Sequence, residues 1–360
     1  MIKPTDFPSN LNGKEFLKAL MESATTKAVE DLLSKLPIMD VNSYHYEADA
    51  PEATWQEGKF HWVPVGRDRG NAGRIRLAGK PIYPLAERLI NGMEALIEMM
   101  RFRELQKEPS APPPSSPREA VLRYFNLPPL DHIPLSHQKV GDKTLREHAR
   151  EYARLLQLDL KFDKKLKEFS VSVRDHGVGQ APLKVHKTLL SLGSSDKGDK
   201  PYLIGVFGQG GSSTYAASKY SWVLSRRAPD LLGGLSDGIG WTFVRHVIPK
   251  GRRDPYFAYL AAHPDGRVPS LHATIADALD FKHGTQFCHI SYDFGSSASA
   301  ITRNLYQALN HVLYNPVLPF DTDVAGTKAT VYGNSYRLSN ASAERKDLDK
   351  TFGPQNIEAQ

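Results

Sequence analysis

Side chains able to do chemistry gather in three places along the chain. In the helical pattern from Leu85 to Phe102, Leu85, Leu89, Met93, Leu96 and Met100 share one stripe, and Glu87, Asn91 and Glu94 share the opposite one. A carboxylate and an amide one turn apart can polarise a water and ligate a hard cation through oxygen. An ordinary solvated helix face has the same pattern. The second place is Asp175-His-Gly177-Val-Gly179. Counting by twos from Phe169, Val171 and Val173 puts Asp175 on the buried face at a strand end. There a carboxylate must find donors or lose its charge. The glycines after it let backbone lie against a ligand, or simply close a turn. The third place is Gly205-Val-Phe-Gly208-Gln209-Gly210-Gly211-Ser212, where four glycines in seven residues run into helix-capping hydroxyls. Backbone N–H groups at such a start favour phosphate, although glycine content alone also describes a flexible loop. No Gly-Lys-Ser/Thr or G-x-G-x-x-G pattern is present. Just upstream, Ser194, Ser195 and Lys197 lie in a polar stretch with the composition of a mobile lid. Gly284-Thr285 opens a strand and says nothing as an isolated pair.

Several elements must position these groups. Spacing predicts a helix over 14–36, stopped by Pro37, then a turn-rich segment over 42–80 with Trp55, Phe60 and Trp62 and with arginines at 67, 69, 74 and 76. After the 85–102 helix, Pro109–Pro117 is low in complexity and reads as an extended linker or surface loop. A further helix is predicted over 145–156. Alternation over 158–162 and 169–173 predicts a hairpin whose turn carries solvated lysines. Strands are expected at 220–224, 239–247, 257–261 and 286–292, and an amphipathic helix carries Ile301, Leu305, Leu309 and Val312. The expected fold class is α+β, a two-layer α/β sandwich with a mixed, mostly antiparallel sheet and helices on one face.

Composition narrows the function classes. In 360 residues, 40% are hydrophobic and 24% charged, enough for a sizeable core. The net charge of +6 permits an anionic partner without demanding one. Cys288 is the sole cysteine, which excludes an internal disulfide or a cysteine-based zinc site, and no histidine pair has metal spacing. No apolar run reaches membrane-span length and residues 1–10 hold no signal-like core, so a cytoplasmic protein with no membrane partner is expected.

In order and local structure, Glu87-Arg-Leu-Ile-Asn91-Gly-Met-Glu94-Ala, Asp175-His-Gly177-Val-Gly179, the 205–211 glycines and Gly284-Thr285 resemble the nucleotide-binding boxes of the GHKL superfamily. That superfamily comprises gyrase, heat-shock chaperone, histidine kinase and MutL ATPases. The resemblance covers about 81–320 and implies a Bergerat-fold site for ATP and Mg2+. It implies that Glu87 is the general base, Asn91 the magnesium ligand and Asp175 the acceptor for the adenine amino group. Gly177 and Gly179 then let backbone approach the nucleotide, and Thr285 orients water and Asp175. Ser194, Ser195 and Lys197, with Gly205 and Gln209, belong to the lid and second glycine box, while Gly208, Gly210 and Gly211, with the helix start at Ser212, hold phosphates. Glu94 stands where the family has Asp. The domain reading is an N-terminal extension over 1–80, an ATPase domain over 81–335 with an insertion at 103–152, and a polar tail over 336–360.

The family's transducer domain finds no counterpart in these 360 residues, so either the chain is the ATPase part of a longer protein or a partner supplies that element, and hydrolysis in isolation is expected to be slow. Glu87 favours a clamp or chaperone type of ATPase that forms a homodimer on lid closure, because the kinases usually carry Asn there. The alternative is a nucleotide-sensing module with negligible turnover that gates protein or DNA binding. The arginines at 67, 69, 74 and 76 suggest the DNA partner. Stand-alone ATPases of this kind suggest a bacterial defence or genome-maintenance setting.

Overall fold

The computed structural model describes residues 7–8, 11–39, 59–76, 79–192, 199–204, 210–249, 254–262, 266–296 and 298–340. The N-terminal helical pattern forms two helices, α1 (Gly13–Glu22) and α2 (Thr26–Leu33). The expected single helix divides because Thr25 adopts extended geometry and its side chain accepts from the Ala28 N–H, starting a second helix. Then come β1 (His61–Pro64) and the long α3 (Ile82–Lys107). In the insertion, α4 (Pro117–Phe125) is capped by Ser116. A small ribbon, β2 (Lys139–Val140) and β3 (Lys143–Thr144), leads into α5 (Leu145–Ala153), which starts in a Thr144–Glu147 capping box.

The predicted hairpin is β4 (Leu156–Asp163) and β5 (Glu168–Asp175), followed by α6 (Pro182–Thr188). A 3-10 segment over Gly210–Ala217 precedes β6 (Tyr220–Arg226), β7 (Gly238–Val247) and β8 (Tyr256–Ala261). The remaining elements are β9 (Ser270–His272), α7 (Ala273–Asp277), β10 (Gly284–Ile290), α8 (Ala298–Val312), β11 (Phe320–Val324), β12 (Thr327–Val331) and α9 (Asn334–Ser339).

Among the described residues ten strands form one sheet in the order β1-β8-β7-β6-β10-β5-β4-β11-β12, with β9 beside β7. Pairing between these strands is antiparallel except for β4 with β11. The α+β class with a mixed, mostly antiparallel sheet is as expected. The placement of helices on one face is corrected. On one face α3, α4, α5 and α8 pack over Leu158, Val171, Val173 and Phe320. On the other, Phe16, Leu17 and Leu20 of α1 and Val29 and Leu32 of α2 join Trp222, Leu224, Trp241 and Leu260 in a second core. Strands β6 to β8 are buried almost throughout, so their outward residues also need an apolar cover, which α1 and α2 supply. Thr26 ties α2 to the hairpin by donating its N–H and hydroxyl to Glu168 at 3.0 and 2.8 Å.

Two further segments are tied to the packed body, the first of them the surface loop expected over 109–117. The proline-rich stretch is held down: buried Arg101 donates to the Ala111 carbonyl at 2.7 Å, and Ala111 is itself buried. At the C-terminal end, Tyr336 and Arg337 are buried, and the Tyr336 ring stacks on Tyr332 at 4.3 Å, so residues 336–339 belong to the packed body. No helix among the described residues is long and apolar enough to cross a membrane.

Candidate functional site

Backbone packing against α3 creates the site. A Cβ at Gly92 would lie 2.5 Å from Leu156 Cδ1 and 3.4 Å from Asp175 Cβ, so the helix meets β4 and the end of β5 across a missing side chain. Gly177 repeats the device, since its Cβ would sit 2.6 Å from the Ala95 carbonyl carbon, and the Val178 N–H donates to the Ala95 carbonyl at 3.0 Å. These contacts bring Asn91–Glu98 and Asp175–Gly179 to a single cleft of about 680 Å3, which Thr285, Gly211 and Ser212 also line.

Asp175 is only 7% exposed. Its Oδ1 accepts from the Gly177 N–H at 2.9 Å and the Thr285 N–H at 3.3 Å. Both bonds use the same oxygen, the residue lines the cleft, and among the described residues no hydrogen bond from another residue reaches Oδ2. Burial pushes the carboxyl up to about 7, against the Gly177 and Thr285 N–H groups, the charge of Arg174 and the residue's own N–H, which pull it down. Thr285 pairs in register with Asp175 and with Ser225, and the Thr285 and Ser225 hydroxyls are 2.9 Å apart. The Ser225 hydroxyl accepts from the Gln180 N–H at 2.9 Å, closing a polar ring around the end of β5. Gly179 (φ +59°) and Gly284 (φ +101°) turn the chain where a Cβ would overlap the Arg226 and Asp175 carbonyl oxygens respectively, so both positions require glycine.

On α3, Asn91, Glu94 and Glu98 line the cleft. Glu94, 2% exposed, accepts from the Ile204 N–H at 2.8 Å, and Glu98 pairs with Lys200 at 2.7 Å. Successive turns of the helix thus hold the chain over 200–204, just before the glycine-rich segment. Glu87 is half-buried, one turn before Asn91, and is not among the described residues lining the cleft. Gly210, Gly211 and Ser212 begin the 3-10 segment, and Gly211 packs beside Arg88 and Asn91. Ser194, Ser195, Lys197, Gly205, Gly208 and Gln209 lie outside the described residues.

Among the described residues no group of three or more His, Cys, Asp or Glu side chains could hold a metal ion. The donors present fit a cation carried in by an anionic ligand, with Asn91 offering one amide oxygen. Other lining residues were not legible in the sequence. Arg88 is given no role there, and Lys187, Thr188 and Ser191 belong to α6 and its exit, which carry no motif. A cation three residues before Asn91 on a helix, hence on the same side, is the one available signal for Arg88.

Comparison with protein-family models finds no match, and comparison with curated proteins finds no similar sequence.

Proposed function

We propose that the chain is a GHKL-type ATPase domain, in a Bergerat-type arrangement, that binds ATP with Mg2+ and hydrolyses it slowly, with lid closure coupled to dimerisation or partner engagement. The observation that carries the reading is Asp175. It is a buried carboxylate with one oxygen saturated by backbone donors and the other left for the cleft, at the meeting point of α3 and two close-packed glycines. That geometry suits the amino group of adenine, a donor, and opposes guanine, which presents an acceptor at the same place. Asn91 would hold the cation, which when bound neutralises phosphate charge, and Glu87 would act on the attacking water.

Calorimetry with Mg2+ and a non-hydrolysable ATP analogue tests the reading. Saturable binding is expected, at least about 100-fold weaker for the guanine analogue. No binding, or equal binding of both bases, overturns it. The same titration has a predicted pH dependence. An N–H donor from the ligand favours ionised Asp175, so the bound state has the lower pKa. Affinity is then constant well above pH ~7 and falls about fivefold between pH ~7 and pH ~6.

A second reading, a module whose nucleotide gates nucleic-acid binding, draws on the loop over 65–76. Buried Asn71 fixes this loop by donating to the Val65 and Phe257 carbonyls at 2.9 and 2.8 Å and accepting from the Phe257 N–H at 2.8 Å. Arg67, Arg74 and Arg76 stand exposed on it. The Gly66 N–H donates to the Leu190 carbonyl at 2.8 Å, between cleft-lining Leu189 and Ser191, so the loop and the cleft wall are contiguous. Duplex DNA affinity is expected to fall steeply with salt, and each Arg→Ala change here to flatten the log–log slope by about 1. An affinity indifferent to salt removes this reading.

A further inference from the structure

Arg88 is a buried cation in the cleft to which the nucleotide reading above gives no role. It is 7% exposed, and its Nε and Nη2 donate to the Thr214 hydroxyl at 3.3 and 3.1 Å. The guanidinium carbon sits 3.8 Å from the Phe287 ring centroid and 5.1 Å from that of Tyr215. Among the described residues it forms no ion pair. Of the carboxylates that α3 contributes to the cleft lining, Glu94 accepts from the Ile204 N–H and Glu98 pairs with Lys200. Neighbouring His289 is fully buried and held neutral, first by desolvation and second by the charge of Arg88. A desolvated guanidinium compensated by one hydroxyl and two ring faces retains strong affinity for an anion, and its planar fork matches phosphate oxygens.

Its third nitrogen shows where that anion would sit. A Cβ at Gly211 would lie 3.1 Å from Arg88 Nη1 and 3.2 Å from Asn91 Nδ2, so the cation, the amide and the glycine backbone converge. Position along α3 gives the direction. Asp175 and Gly177 meet the helix at Gly92 and Ala95, whereas Arg88 lies four to seven residues earlier, about 6–10 Å along the axis. An adenine nucleotide whose base reaches Asp175 therefore directs its phosphates toward Arg88.

We infer that Arg88 is a phosphate-contacting residue that makes the cleft prefer a nucleoside triphosphate to the diphosphate, and that Thr214 couples this contact to the 210–217 segment. The inference rests on the nucleotide reading above, and one set of titrations separates the two. Adenosine, ADP and a non-hydrolysable ATP analogue are titrated with Mg2+ into the wild type, Arg88→Met and Arg88→Lys. The wild type is expected to prefer ATP. Arg88→Met should weaken ATP about 10- to 100-fold with adenosine nearly unaffected, and Arg88→Lys, which keeps charge without the fork, should fall between.

An ATP-to-ADP ratio unchanged in both variants overturns the inference, as does adenosine affinity falling in step with ATP. A wild type that binds adenosine and ADP without preferring ATP overturns it too, while leaving the nucleotide reading intact. A wild type that binds none of the three removes both. If Arg88→Met does not fold, Arg88→Lys alone decides, because its ATP-to-ADP ratio must drop.

Discussion

Asp175→Asn is expected to abolish adenine-nucleotide binding and, in the same experiment series, to make the unliganded protein more stable. The first effect follows from which oxygen is already occupied. The Gly177 and Thr285 N–H groups both donate to Oδ1, so in the variant they fix the amide with its oxygen toward them. The Oδ2 position becomes an NH2 group, and an acceptor that suits the adenine amino group turns into a second donor. Two opposed donors in a desolvated site cost at least about 100-fold in affinity.

The second effect follows from linkage. Burial raises the carboxyl from its ordinary value to about 7, so above the unfolded-state pKa the fold is destabilised by holding this group. The penalty grows from pH ~4 to pH ~7 and is constant beyond that. Three units correspond to about 4 kcal/mol at most, and a neutral amide that keeps the Oδ1 contacts should recover about 1–3 kcal/mol of it. Urea titrations at pH ~8 should show that gain, and titrations near pH ~4 should show little. A variant that binds the analogue like the wild type overturns the adenine contact. A variant less stable at high pH would instead show that Asp175 is there to hold the β5 turn. A stabilising change that removes binding is the signature of a residue kept for a ligand.

The parts of this site that could be read in the sequence are those where one face is wet and the other dry. From Phe169 to Asp175 alternate residues enter the core, so the inward register of Asp175 is visible by counting. The apolar stripe of α3 is visible for the same reason. Strands β6 to β8 show no such alternation because Trp222, Leu224 and Trp241 face a second core under α1 and α2 while Val223 and Val244 face the other way. Periodicity there reports strand but not what covers it. Arg88 was illegible for a different reason. Its buried state depends on the faces of Phe287 and Tyr215 and on a hydroxyl from Thr214, about 200 and 130 residues away in the chain. Nor does composition show that the proline-rich stretch is pinned by Arg101, because the acceptors are backbone carbonyls.

Glu87→Gln is expected to leave nucleotide binding intact and to lower turnover by about 10²–10⁴-fold, or roughly 3–5.5 kcal/mol of barrier. Glu87 and Asn91 are one helical turn apart on α3, about 40° apart around the axis, with Arg88 flanking Asn91 from the other side. The face that meets the phosphate end of the cleft through Arg88 and Asn91 therefore carries Glu87 at its edge, half-buried and outside the lining itself. A group at that edge adds little to ground-state affinity, so removing its charge should spare binding. A water drawn between Asn91 and Glu87 in the loaded site would lose its proton acceptor in the variant, since an amide of the same size and hydrogen-bonding reach is no base. Single-turnover phosphate release, measured beside calorimetry on the same preparations, separates the outcomes. Equal rates in wild type and variant would show that Glu87 is not the base. Measurable binding with no release above background in the wild type would leave occupancy itself as the signal, and the exposed arginines beside the cleft wall would then be the place to look for what that signal controls.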